Sequence, residues 1–172
     1  EHYDRLLSRI GWFDGLYGAW VATLVGQAGD PQSLNRLTLL LDHPEVPART
    51  TALRVLAALL RGTQQTPGLQ GPAAQLAGKS IEKGLKDKDP VVRAVAVEVL
   101  ANAAGEQALQ QIQAALKDPA PTVREVALDL VLRMKLNVDA AAITPFLKDE
   151  NWQVRRMAVA VLMETGGEAP LF

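Results

Sequence analysis

Three copies of one short signature, set at a constant interval, constrain this chain more than any other feature of it. Leu85-Lys86-Asp87 is followed by Val92-Arg93, Leu116-Lys117-Asp118 by Val123-Arg124, and Leu147-Lys148-Asp149 by Val154-Arg155. Each copy begins 31 residues after the one before it. A fixed period of this length marks an array of supersecondary units, none of which can bury its apolar face alone, so that neighbours must stack.

The unit itself is readable. From Gln107 to Arg133, Ala108, Leu109, Ile112 and Leu116 have the spacing of one buried helix face, and Val123, Ala127, Leu130 and Val131 form a second such face. Between them, Lys117-Asp118-Pro119-Ala120-Pro121 cannot continue the first helix. Its prolines suit the opening of the second helix, and Asp118 is placed to cap or brace the turn. The period superimposes Ile81, Ile112 and Ile143 on one position of the first helix, and Ala96, Ala127 and Ala158 on one position of the second. A small residue at the latter position lets two helix backbones approach closely.

Upstream, the match continues after a step of 44, pairing Leu37 with Ile81, Leu41 with Leu85, Arg49 with Arg93, Ala52 with Ala96 and Leu56 with Leu100. Residues 61–73, rich in Gly, Pro, Gln and Thr, read as an inserted loop that accounts for the longer step. A further step of 31 brings Leu6, Ile10, Val21 and Val25 onto repeat positions, with Gly18 where an arginine is expected. The pattern therefore predicts an all-α chain of about five stacked helical hairpins in a single domain, 1–172. Residues 1–30 form a degenerate N-terminal cap hairpin and 31–60 a divergent repeat. After the loop come three regular repeats over 74–165 and a tail over 166–172.

Leu-x-Asp-x-x-x-x-Val-Arg-x-x-Ala-x-x-x-Leu, as it stands in Leu85 to Leu100 and with Val131 at the last position in Leu116 to Val131, resembles the HEAT repeat. The resemblance is to the short form seen in phycobilin-lyase-like HEAT proteins, and Leu147 to Leu162 carries the same pattern. The resemblance covers about residues 31 to 165 and implies a right-handed α-solenoid, a HEAT-like superhelix. It also implies a ladder of turn residues along the stack, here Asp87, Asp118 and Asp149 with Arg49, Arg93, Arg124 and Arg155. Each of the last three arginines has an aspartate six residues before it, so the series reads as structural rather than as a basic stripe for a ligand. Departures fall at His43, which takes the aspartate position, at Pro44 and Pro47, and at Gly18.

Composition bounds the chemistry. With 18 basic and 19 acidic residues the net charge is −1, which argues against a surface tuned to nucleic acid, where affinity rests on neutralising phosphates. The absence of cysteine excludes disulfides, thiolate metal sites and cysteine nucleophiles. His2 and His43 are too few and too scattered for a metal centre, and Ser8, Ser33 and Ser80 lie in no nucleophile elbow. No catalytic, cofactor-binding or metal-binding residue is expected, and no cofactor. No stretch has the length and apolarity of a membrane span. The chain begins at Glu1 rather than Met, which fits a trimmed, processed or excised piece that once had a signal or neighbouring domains. The compartment stays open, with the cytoplasm favoured over the periplasm.

Two surfaces are candidates for partners. The first is a column on successive second helices that, by resemblance, lines the concave side: Arg54, Glu98, Glu125, Asp129, Leu132, Arg156 and Met163, interspersed with Thr50, Ala57, Ala94, Ala101 and Ala160. It reads either as a solvated face or as a partner groove. The second is aromatic: Tyr3, Trp12, Phe13, Tyr17 and Trp20 crowd the first twenty residues, and Trp12, Tyr17 and Trp20 fall near one side of a helix. They either plug an open end of the stack or dock a neighbouring domain or subunit. Trp152, opening the last second helix, is a rim contact or a local packing residue.

The function expected is a non-enzymatic scaffold or adaptor presenting a curved helical surface to a protein or peptide. Alternatives drawn from the resemblance are a bilin-lyase-like protein and a DNA-lesion-binding HEAT protein. For the latter, Trp152, Arg155, Arg156 and Asp149 give a partial echo that the near-neutral charge opposes.

Overall fold

The computed structural model describes residues 31–61 and 70–164. Every regular element among them is helical. The helices pair into hairpins: α1 (Pro31–Leu39) with α2 (Val46–Arg61), α3 (Gly71–Gly84) with α4 (Pro90–Ala104), α5 (Leu109–Ala115) with α6 (Pro121–Arg133), and α7 (Ala140–Ile143) with α8 (Trp152–Glu164). The expected cap hairpin, with Trp12, Tyr17, Gly18 and Trp20, lies outside the described residues, as do most of the expected loop and the tail. One boundary differs from the sequence reading. The loop was expected to run from 61 to 73, but α2 continues through Arg61 and α3 starts at Gly71, where Pro72 occupies one of the first helical positions. A proline there sacrifices no hydrogen bond, because the first helical N–H groups have no partner in the helix.

The periodicity predicts one domain; the chain divides into two compact units, Glu1–Ala103 and Ala104–Phe172. Gly105, at φ 59°, ends α4 beside this division. In the first unit a continuous apolar cluster joins Leu37 of α1, Leu53 and Leu56 of α2, Ile81 of α3, and Val92 and Ala96 of α4. Its tightest point is Gly84. A Cβ there would stand 2.8 Å and 2.9 Å from the Leu53 methyls and 3.1 Å from the Ala96 Cβ, so the close of α3 has room for glycine only.

The second unit packs α6 between α5 and α8, around Ile112, Val123, Ala127, Leu128, Ile143, Val154 and Ala158. Ile81, Ile112 and Ile143 are each fully buried, and so are Ala96, Ala127 and Ala158. The repeat positions are thus positions of equal burial. Some first helices are short. After α7, Pro145 falls in a 3-10 segment, Thr144–Lys148, which carries the chain to the next turn. At the end of α6, Lys135 takes the left-handed conformation (φ 51°) while the Leu136 N–H reaches back to the Val131 carbonyl, a C-terminal cap usually built on glycine.

Candidate interaction surface and the turns that position it

The three regular turns share one set of bonds. The backbone N–H of Asp87, Asp118 and Asp149 donates to the carbonyl three residues earlier, closing the first helix. The Oδ1 atom of each accepts from the N–H two residues on, at 2.8 Å, 2.8 Å and 2.9 Å. An aspartate does this because its short side chain reaches its own backbone. Asp89 and Asn151 repeat the device one step later, accepting from Val91 and Gln153 as the second helices begin.

The arginines behave differently from the simple six-residue pairing in the sequence. Each sends Nη1 to the carbonyl, not the carboxylate, six residues before it: Arg49 to His43 at 2.8 Å, Arg93 to Asp87 at 2.9 Å, Arg124 to Asp118 at 3.0 Å and Arg155 to Asp149 at 2.9 Å. The carboxylate serves the hairpin before. In the first unit, Asp87 takes Nε and Nη2 of Arg49 at 2.8 Å and 3.1 Å; in the second, Asp149 takes the same edge of Arg124 at 2.8 Å twice. These are paired fork-to-fork contacts, the geometry in which arginine surpasses lysine. They are also nearly dry, with side-chain exposures of 4% and 12% in the first pair and 11% and 9% in the second.

Burial of charge is tolerable here because both carboxylate oxygens and all three guanidinium nitrogens of each pair have hydrogen-bond partners. The hydrogen bonds from Arg124 hold the Asp149 carboxyl below the usual carboxylate range, and the Asp149 carboxylate in turn holds the Arg124 guanidinium above its ordinary value.

His43 shows which part of this machinery is local. Its Nδ1 accepts from the Glu45 N–H at 3.2 Å, in the manner of the aspartate oxygens, and its carbonyl still receives Arg49. Only the carboxylate is missing.

The candidate column is split between the units. In the first, Arg54 is exposed on α2 and Glu98 half-buried on α4, while the intervening Thr50, Ala57, Ala94 and Ala101 are buried, so the column there is no continuous solvated face. In the second, Glu125, Asp129 and Leu132 are half-buried on α6, and Arg156 and Met163 are exposed on α8. Asp129 is paired with Arg133 at 2.6 Å, an i,i+4 contact that the spacing in the sequence would have revealed. Trp152 is 59% exposed and Met163 71%; the Arg156 guanidinium lies over the Trp152 ring, 5.8 Å from its centre. Among the described residues no three His, Cys, Asp or Glu side chains gather as metal ligands, and no helix is long and apolar enough to cross a membrane.

Hairpins of equal register, three of them turned on an aspartate and, within each unit, the first clamped to the second through an arginine, define a tandem α-hairpin repeat protein. Residues 79–162 match the family model for HEAT repeats, and this stretch of the chain is built of such repeats. Such repeats generally serve as scaffolds for protein interactions and are typically non-enzymatic. A comparison with curated proteins found no match.

Proposed function

We propose that the chain is a non-enzymatic interaction module that holds a protein or peptide segment on the second-helix face of its second unit. Glu125, Asp129 and Leu132 of α6 and Arg156 and Met163 of α8 are the contact residues, with Trp152 at the rim. The observation that carries this reading is the exposure of Trp152 and Met163 on α8 beside a stacked arginine. Trp, Met and Arg are enriched where partners bind, since they offer large contact areas, and the rigid Trp ring loses few conformations on docking. The acidic side chains of α6 suit a segment with at least one basic residue. A net charge of −1 gives nucleic acid no comparable attraction.

The test is affinity capture with the full chain, followed by the same capture with Trp152→Ala and Met163→Ala combined, and with Glu125→Lys and Asp129→Lys combined. Binding of the captured proteins is expected to fall at least tenfold for the first pair and to lose its preference for basic segments with the second. Retention of every partner by both variants would remove this face from consideration.

A further inference from the structure

We draw no further inference here: the strongest candidate, the exposed flank of α8 that carries Arg155 and Val159 in the last described hairpin, carries nothing further, because nothing in the structure shows what covers it.

Discussion

Arg49 on α2 and Arg155 on α8 occupy one position of the repeat and make the same bond to the carbonyl six residues back, yet one is buried and the other exposed. Leu53 and Val159, one turn further along, differ in the same way. Local bonding is thus a property of the repeat, and burial is a property of the neighbour. A residue's contribution to stability follows the second, because a guanidinium or a methyl group stabilises the fold only to the extent that something lies against it.

The largest effect that would expose this contrast comes from Arg49→Met. It leaves the Asp87 carboxylate without its partner in a site only 12% exposed and is expected to cost about 4 kcal/mol in urea unfolding, the usual scale for breaking a buried ion pair. Arg155→Met, by comparison, should stay within about 0.5 kcal/mol, as for surface changes in general. Equal losses would break the comparison outright.

Next in size is Leu128→Ala, expected to cost about 3 kcal/mol through the cavity it leaves, against well under about 1 kcal/mol for Val159→Ala. Calorimetry or urea melts of the pair would measure the difference.

Asp149→Asn is expected to cost about 2 kcal/mol, the range of hydrogen bonds to a charged group, and its effect should depend on pH. Because Arg124 lowers the Asp149 pKa in the folded chain, the carboxylate's contribution is complete above the unfolded value of about 4 and is lost as pH falls through the folded one. The stability gap between the natural chain and the variant should therefore be flat above about pH 5 and close below about pH 4. A gap that persists unchanged into acid would show that the charge of Asp149 is not what matters.

Gly84→Val should cost about 1.5 kcal/mol by overpacking against Leu53 and Ala96. Shortening Leu53 to alanine in the same chain should recover part of that loss if the contact is the cause. The smallest change is His43→Ala, which removes the acceptor for the Glu45 N–H and is expected to cost about 0.5 kcal/mol, while His43→Asp should be close to neutral.

Much of this was legible in the residues. The equal burial of Ile81, Ile112 and Ile143, and of Ala96, Ala127 and Ala158, follows from the period alone. The structural role of the arginines was also readable. Their partner was not: six-residue spacing suggested the carboxylate of the same turn, whereas the bond runs to the carbonyl and the carboxylate turns to the preceding hairpin. Spacing along a chain cannot distinguish two acceptors on one residue. The column through Thr50, Ala57, Ala94 and Ala101 was read as surface from helical period, but those residues are buried. Helical period fixes which residues share a side; it does not say what covers that side.

By itself, then, the sequence determined the hairpins, their register and the bonds within each turn, all of which join groups within about six residues of one another through short, sterically restricted chain. The tertiary structure alone decided which guanidinium meets a carboxylate 25 or 38 residues away, and which repeat position is dry. Those outcomes depend on what lies against each hairpin, and equivalent residues reach different ends where a following hairpin covers them and where, among the described residues, none does.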